Sequence, residues 1–209
     1  MRAVILFIAI TATTARAQPV APWTYDIEPR IGVLESKSKL DASLLVGFEL
    51  GLELPHDGLL GLEASFTHPH HTGSVMDDNV TTSYTLEQSQ ILLAITVNYR
   101  FFDSTHAIVP HVGLGPLVQV LLNTETTTAA PGELTANEVQ LGAEAGAGVD
   151  YRVGPGWLAA NIQFVYSRPL SACAILPIYI PVCTAHSAPL TGGDDVYNIA
   201  ITGGYRVPF

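Results

Sequence analysis

The pattern that most limits the possible folds is an alternation of apolar and polar residues that returns along most of the chain. A period of two is typical of a β-strand with one apolar and one polar face. In the first segment, Tyr25, Ile27 and Ile31 share one face, while Glu28 and Arg30 share the other. Eight segments have this pattern, and each is predicted to be a strand: residues 25–33, 44–54, 60–67, 90–101, 108–120, 138–152, 158–167 and 197–209.

The connections between these segments alternate in length. Three are short turns, at residues 55–58, 102–106 and 154–156. Four are longer and polar, at residues 35–41, 69–83, 123–136 and 169–194. Short turns at one end and long loops at the other are typical of a transmembrane β-barrel.

Two prolines interrupt the pattern of the fifth segment. Pro110 and Pro116 each lack the backbone N–H that a strand donates to its neighbour. We therefore expect a bulge or an irregular stretch in this strand.

The hydropathy of the chain favours a membrane protein, but not one that is built from helices. The mean hydropathy is +0.31. The two long uncharged stretches, residues 105–124 and 169–193, contain prolines and glycines that helix interiors tolerate poorly. Only helices and closed barrels satisfy all backbone groups in lipid. The predicted fold is therefore all-β, an eight-stranded antiparallel up-and-down transmembrane β-barrel.

The N-terminus has the composition of a secretory signal peptide. Arg2 supplies a positive charge, residues 3–12 are apolar, and Ala15-Arg16-Ala17 has the small-x-small form of a signal-peptidase site. The apolar stretch is shorter than the roughly 20 residues that a spanning helix needs. We expect residues 1–17 to be a signal peptide and residues 18–209 to form the barrel domain.

The charge balance excludes one class of partner. The formal net charge is −10, and it becomes −12 once Arg2 and Arg16 are removed with the signal peptide. Binding to nucleic acid depends on clustered Lys and Arg, and the only lysines are Lys37 and Lys39. We expect no nucleic-acid partner and no cofactor.

Alternation alone does not say which face points outward. A soluble lipocalin also has eight strands and a signal peptide, but its apolar face surrounds a ligand in the interior. Here the polar face combines Gly and Ala with acids and arginines, which suits a narrow, filled interior. Aromatic residues also collect at the strand ends of the apolar face, as in the two girdles of membrane barrels: Tyr25, Tyr99, Phe101, Tyr151, Tyr205 and Phe209 at one end, and Phe66, Tyr166 and Tyr197 at the other. Both features favour a membrane barrel over a lipocalin.

The last strand carries a family resemblance. Tyr205, Val207 and Phe209 resemble the C-terminal β-signal of bacterial outer-membrane proteins, in which a terminal aromatic follows apolar residues two and four positions earlier. With the predicted architecture, the chain resembles small barrels of the OmpA type, with OmpX, OmpW and Ail as relatives. The resemblance implies export to the bacterial outer membrane and insertion by the barrel-assembly machinery. Pro208 departs from the usual pattern of this signal.

The predicted interior is rich in ionisable residues. Asp26 belongs to it, together with a lumen charge cluster: Glu28, Arg30, Glu49, Glu53, Glu63, Arg100, Glu138, Glu144, Asp150, Arg152 and Arg206. Because buried charges must be paired and hydrogen-bonded, we expect Arg–carboxylate clusters across the lumen. These clusters either plug the barrel, whose lumen is about as wide as its side chains, or line a narrow cation-preferring path.

The last long loop contains both cysteines of the chain, Cys173 and Cys183. In an exported protein this spacing favours one local disulfide. The residues between them, 174–182, are apolar and include Pro177 and Pro181. This tip either contacts lipopolysaccharide, another barrel or an extracellular partner, or folds down over the barrel mouth.

Two further segments suggest sites with weaker support. His68, His70 and His71 could bind a divalent metal, although a polar surface loop is the more common explanation. His186-Ser187 lacks the strand-borne His-x-Ser-Asn arrangement of lipid A deacylases of the PagL kind. We therefore expect no catalytic or metal site, and a structural or surface-interaction role. A cation channel and a lipid A-modifying enzyme are the alternatives.

Overall fold

The computed structural model describes residues 24–36, 40–54, 57–77, 80–128, 133–175, 181–184 and 196–209. Almost all of them belong to β-strands: β1 (Tyr25–Ser36), β2 (Ser43–Leu54), β3 (Gly58–Thr67), β4 (His70–Asp77), β5 (Val80–Arg100), β6 (Ile108–Thr127), β7 (Glu133–Val153), β8 (Gly156–Ile175), β9 (Pro181–Thr184) and β10 (Val196–Pro208). Over these ranges, no helix is long and apolar enough to span a bilayer.

Eight of these strands form a closed ring in the order β1, β2, β3, β5, β6, β7, β8 and β10. Every neighbouring pair is antiparallel, and β10 closes the ring by pairing with both β8 and β1. The predicted eight-stranded antiparallel up-and-down barrel is therefore confirmed. Closure leaves no strand edge unpaired around the ring, as a bilayer requires.

The remaining two strands lengthen the wall beyond the ring. β4 pairs with the first part of β5, where His70 lies opposite Glu87, and β9 pairs with the end of β8. The strands β5 to β8 have 20 or 21 residues, whereas β1 and β2 have 12. The wall is consequently taller on the side of β5 to β8.

The taller wall corrects three predicted loops. Within residues 69–83, β4 (His70–Asp77) pairs with β5, which begins at residue 80. Within residues 123–136, β6 continues to residue 127 and β7 begins at residue 133. Residues 169–194 include the end of β8 and all of β9. These parts lack the apolar alternation because they stand above the predicted lipid contact. Thr, which strands favour, is common in β5 and β6 here.

The two faces of the wall are inverted relative to a soluble protein. Side chains that point outward are apolar and exposed, and Ile31 and Leu114 expose 59% and 69% of their surface. Inward side chains are buried and often charged, and Glu28 is fully buried. At the turn end, the outward rings of Tyr25 and Phe209 stack, and at the loop end Tyr166 and Tyr197 lie 5.0 Å apart between ring centroids.

The expected irregular stretch is present at Pro116, because the β5–β6 ladder passes from the pair Ala94 and Leu117 to the pair Val97 and Leu114 with no paired residues between them. The register of β6 nevertheless stays the same across Pro110 and Pro116. The prolines are tolerated because their carbonyls still accept: the N–H of Phe101 donates to the carbonyl of Pro110 at 3.0 Å. The register shift occurs instead between β7 and β8, next to Val139 and Gln140.

Candidate functional site

The barrel interior is divided along its axis into three layers of different chemistry. The charged layer lies near the short turns and contains Asp26, Glu28, Arg30, Glu49, Glu53, Glu63, Arg100, His111, Glu144, Asp150 and Arg206. The apolar layer is a cluster in mid-barrel: Leu34, Leu45, Leu92, Ala94, Leu117, Val165 and Ala200. The amide layer lies near the long loops and contains Gln88, Gln90, Gln119, Asn123, Glu138, Gln140 and Ser167. Along β5, for example, Gln90 comes first, Leu92 next and Arg100 last.

Arg30 on β1 organises one half of the charged layer. Its Nε lies 2.7 Å from Oε1 of Glu28, and its Nη1 lies 2.6 Å from Oε2 of Glu63 on β3. Its Nη2 also pairs with Glu49 on β2. All three nitrogen atoms of one guanidinium thus form ion pairs with carboxylates from three adjacent strands. All four side chains are buried.

Arg206 on β10 organises the other half. Its Nη2 lies 2.6 Å from Oε2 of Glu28, and its Nη1 lies 2.8 Å from Oδ2 of Asp150 on β7. Asp26 and Glu49 are more distant, at 3.8 and 3.9 Å. Because Glu28 contacts both Arg30 and Arg206, the two halves form one continuous ion-pair network.

Three more residues of the layer, Glu53, Arg100 and His111, lie at its turn end. The Nη1 of Arg100 lies 2.7 Å from Oε1 of Glu53, a half-buried carboxylate. His111 was not in the predicted cluster, although it lies within the fifth predicted strand, residues 108–120. Its Nδ1 lies 3.6 Å from Oδ2 of Asp150, and its Nε2 lies 2.9 Å from Oδ1 of Asn161.

Glycines on the inward face give these carboxylates their space. A Cβ added to Gly204 on β10 would lie 2.8 Å from Cγ of Glu28 and 2.7 Å from the carbonyl oxygen of Pro29. A Cβ added to Gly61 on β3 would lie 2.9 Å from Cδ of Glu49. The mixture of Gly and acids in the sequence therefore reflects packing within a narrow lumen.

A small cavity of about 20 Å³ remains in the charged layer. Arg30, Glu63, Glu144 and Gln163 are among the residues that line it. Its volume suits about one water molecule. The layer holds seven acids and three arginines, and this cavity beside Glu144 has room for one hydrogen-bond partner of a surplus carboxylate.

The amide layer is a chain of hydrogen bonds that crosses the lumen between β5, β6, β7 and β8. The Nε2 of Gln119 donates to Oε1 of Gln90 at 2.9 Å, and the hydroxyl of Ser167 donates to Oε1 of Gln119 at 3.0 Å. The Nε2 of Gln140 donates to Oε1 of Glu138 at 2.6 Å. Glu138 therefore belongs to this layer, far from the arginine network in which it was predicted.

The apolar layer was missed at the sequence level. Leu45 and Leu92 lie on the inward face of predicted strands, and the signal for the layer was the recurrence of Leu at inward positions on several strands. In the structure Leu34, Leu45 and Leu117 expose 1% of their surface each and pack together. They separate the charged layer from the amide layer.

Arg152 does not belong to the lumen cluster, contrary to the prediction. It lies near the end of β7, at the turn end of the barrel, and its side chain is exposed. Its guanidinium stacks over the ring of Trp157 at 5.7 Å and donates to the carbonyl of Ser104 at 3.4 Å. In the last residues before a turn, an inward position in the alternating pattern therefore no longer predicts a buried side chain.

The histidines at the start of β4 are not gathered into a metal site. The Nδ1 of His68 lies 2.9 Å from the hydroxyl of Ser89, and His71 lies 3.7 Å from Asp41. In the described part of the chain, no three His, Cys, Asp or Glu side chains are grouped to hold a metal ion. His186-Ser187, the only adjacent His and Ser pair considered for catalysis, lies outside the described residues.

The predicted assembly signal lies at the turn end of β10. The N–H of Phe209 donates to the carbonyl of Tyr25 at 2.8 Å, and Val207 pairs with Ile27. The hydroxyl of Tyr205 donates to the carbonyl of Val153 at 2.9 Å. The three residues therefore lie at the seam where β10 pairs with β1 on one side and with β8 on the other.

The backbone places Cys173 on β8 directly opposite Cys183 on β9. Opposite Cα atoms of an antiparallel pair are separated by about 4.5–5.5 Å, which is within the range that a disulfide spans. The register is therefore compatible with the predicted bridge. The tip between the two strands, residues 176–180, lies outside the described residues.

Comparison with solved structures identifies the fold. A major outer membrane protein from Thermus thermophilus superposes with a TM-score of 0.63 at 11% identity, over 90% of this chain and 100% of that chain. AlkL, determined in lipid bilayers, gives 0.53 at 10% identity over 94% and 95%. OprG from Pseudomonas aeruginosa gives 0.52 at 12% identity over 90% and 96%. The resemblance to small bacterial outer-membrane barrels is thus confirmed for the fold.

Sequence comparison adds no closer relative. No protein-family model matches the chain, and no curated protein sequence matches it.

Proposed function

We propose that this chain is an exported bacterial outer-membrane protein whose barrel is closed to solutes and whose role is structural or lies in contacts at the cell surface. The observation that carries the closed barrel is the apolar layer. Leu34, Leu45, Leu92 and Leu117 belong to one buried apolar cluster in mid-barrel. An ion that moved along the axis would lose its hydration without gaining a charged or polar partner at this level.

The inverted wall supports the membrane location. Exposed side chains such as Ile31 and Leu114 would be unfavourable in water, whereas a lipid environment matches them. The signal-peptide pattern of residues 1–17 supports export, and the aromatic end of β10 supports insertion by the barrel-assembly machinery. The turn end then faces the periplasm and the taller wall faces outside.

The taller wall supports a role in surface contacts. Its outward face is polar and rich in hydroxyl groups, as in the row where Thr72 pairs with Thr85 and Thr85 pairs with Thr126. This face continues above the predicted lipid contact, where it would meet lipopolysaccharide and extracellular molecules. Residues 169–194 remain our candidate for binding an extracellular partner.

A narrow cation-preferring path is the second candidate. The surplus of acids over arginines in the charged layer favours it, because rings of acids attract cations. The apolar layer opposes it, since it lies in series with the charged layer along the axis. No arrangement in the described residues supports lipid A modification, which we therefore do not propose.

Gel mobility tests the membrane location in this proposal, and conductance tests the closure of the barrel. The outer-membrane fraction should contain the protein, and its mobility should change on boiling, as expected of a closed barrel. Recovery in the soluble periplasmic fraction without such a change would contradict the membrane location. In planar bilayers the wild-type protein should give no unitary current, whereas replacing both Leu92 and Leu117 by Ser should give current. A steady cation current from the wild type would favour the second candidate.

A further inference from the structure

The outer wall carries a groove of about 650 Å³ on its lipid-facing side. Its floor is formed by Ala143 and Ala145 of β7, both of which are exposed. Pro116 and Leu114 of β6 form one side, opposite Ala143 and Ala145 respectively. The other side is formed by aromatic rings of β8, since Tyr166 pairs with Ala143 and Phe164 pairs with Ala145.

Most outward positions carry large side chains, such as Leu62 on β3 and Ile95 on β5, which fill the space beside their neighbours. Exposed alanines also occur outside the groove, at Ala147 and Ala160. In the groove, small residues on one strand lie between bulky residues on both adjacent strands. An apolar chain laid along β7 would contact the floor and both sides, and so gain dispersion contacts that a flat wall does not offer.

The loop end of the groove has a different chemistry. Tyr197 on β10 lies beside Tyr166, with ring centroids 5.0 Å apart. Arg168, two residues above Tyr166, is exposed and places its guanidinium 5.6 Å from the centre of the Tyr166 ring. The Nε of Arg168 also donates to the hydroxyl of Tyr166. A cation is therefore held directly above an apolar groove, at the level of the outer aromatic girdle.

Arg168 differs in its location from the other described arginines. Among the described residues, the other arginines are Arg30, Arg100 and Arg206 in the lumen and Arg152 at the turn end. Arg168 is thus the one described Arg or Lys on the outer surface at the loop end. An arginine in this setting suits a phosphate, which accepts hydrogen bonds from two sides of the guanidinium.

We propose that the groove binds one phosphate-bearing lipid of the outer leaflet, with an acyl chain along Ala143 and Ala145 and the phosphate at Arg168. This proposal rests on the outer-membrane location proposed above. The chemistry of the two parts matches that of one amphiphile, because the apolar groove ends at the cation. The Tyr166 and Tyr197 rings lie at the boundary, where amphipathic rings are favoured.

The test is lipid retention by the purified full-length barrel. The protein is reconstituted into phosphatidylethanolamine nanodiscs that contain a few per cent (roughly one lipid per barrel) of lipid A, a phosphorylated glycolipid, and retained lipid is counted by native mass spectrometry. The wild type should retain one lipid A molecule. Ala145→Leu, which fills the groove, and Arg168→Gln, which removes the cation, should each reduce the retained fraction about fivefold, equivalent to a modest loss of binding free energy.

Matched controls separate the groove from the rest of the wall. Ala160→Leu adds the same side chain to an outward position of β8 near the turn end, and Arg152→Gln removes an exposed arginine there. Both should retain lipid A as the wild type does. Equal retention by Ala145→Leu and Ala160→Leu, or equal retention of lipid A and of its phosphate-free form by the wild type, would overturn the proposal. A failure of the membrane location would show differently, because the wild type would then lack the boiling-dependent gel shift.

Discussion

Arg206 and Glu28 form an ion pair at 2.6 Å between the last and the first strand, across the seam that closes the barrel. Both side chains are buried, and the same guanidinium also reaches Asp150 on β7. Chain termini that are far apart in sequence are therefore joined by a charge interaction as well as by the backbone ladder. The pair lies at the centre of the network, because Glu28 also contacts Arg30.

Removal of Arg206 should destabilise the barrel strongly. Arg206→Met leaves the carboxylates of Glu28 and Asp150 buried with less compensation, and we expect the free energy of unfolding to fall by about 3–5 kcal/mol. Urea titration in detergent micelles, followed by the loss of the unboiled gel form, measures the change. Arg152→Met is the matched control and should change stability by less than about 1 kcal/mol, because Arg152 is exposed. Similar losses in the two variants would contradict the assignment of the network.

The apolar layer should respond to truncation as a packed core. Leu117→Ala is expected to lower the free energy of unfolding by about 2–5 kcal/mol, because it leaves a cavity among buried side chains. Leu114→Ala removes the same atoms from the lipid-facing side of the same strand, where lipid can fill the space. The difference between the two variants in urea titration measures the packing inside the lumen. The prediction fails if Leu114→Ala is as destabilising as Leu117→Ala.

The cysteines should be bonded to each other in the exported protein. Cys173 and Cys183 are opposite neighbours in an antiparallel pair, so the bridge needs no change of register. Unfolded protein from the outer membrane should contain no thiol that reacts with maleimide until it is reduced. Reduction should also slow its migration, to the position of the Cys173→Ser, Cys183→Ser double variant. Two reactive thiols before reduction would exclude the bridge.

The terminal aromatic should matter for assembly more than for the stability of the folded barrel. We expect Phe209→Ser to lower the amount of heat-modifiable protein in the outer membrane severalfold, with the unassembled chain degraded in the periplasm. Phe102→Ser is the control, because Phe102 is also an exposed aromatic at the turn end but lies in the turn between β5 and β6. Equal assembly of the two variants would argue against a role for Phe209 as a signal.

The turn between β5 and β6 should show a measurable acid dependence. The Thr105 hydroxyl and backbone N–H donate to Asp103 and, with the His106 ring, lower the pKa of this exposed carboxyl. A lowered folded-state pKa means that this carboxyl stabilises the turn above its unfolded pKa, and that the effect is lost as the pH falls through the folded pKa. Carboxyl NMR titration should show the pKa of Asp103 rising in Thr105→Val and staying unchanged in Thr72→Val. An unchanged pKa in Thr105→Val would contradict the assignment.

The wall of the barrel could be predicted from sequence because two different solvents act on its two faces. Lipid requires an apolar residue at every second position, as at Ile27 and Ile31, and the narrow lumen requires small or polar residues between them. This requirement stops above the membrane, so the β4–β5 hairpin showed no alternation and was predicted as a loop. The stability of its strands depends on the β-propensity of Thr and on pairing with a neighbouring strand. The residue pattern of one segment taken alone does not reveal that pairing.

The interior could be predicted only in part. The inward direction of Glu28, Arg30 and Arg206 follows from alternation, but their partners depend on which strands meet across the lumen. The same limit explains why Glu138 was grouped with the arginines although it lies beside Gln140. The apolar layer brings Leu45 of β2 and Leu117 of β6 into one cluster, although these strands are not neighbours in the chain, so neither residue predicts the layer by itself.

The apolar layer also bears on how many copies of this protein a membrane can hold. An open pore adds permeability with every molecule, so its abundance is limited by the leak that the cell tolerates. On the proposal that the barrel is closed, the apolar side chains of Leu34, Leu45 and Leu117 seal the lumen, so each molecule adds wall without adding leak. On this basis the upper limit on its density in the envelope is set by the available membrane area and by the assembly rate.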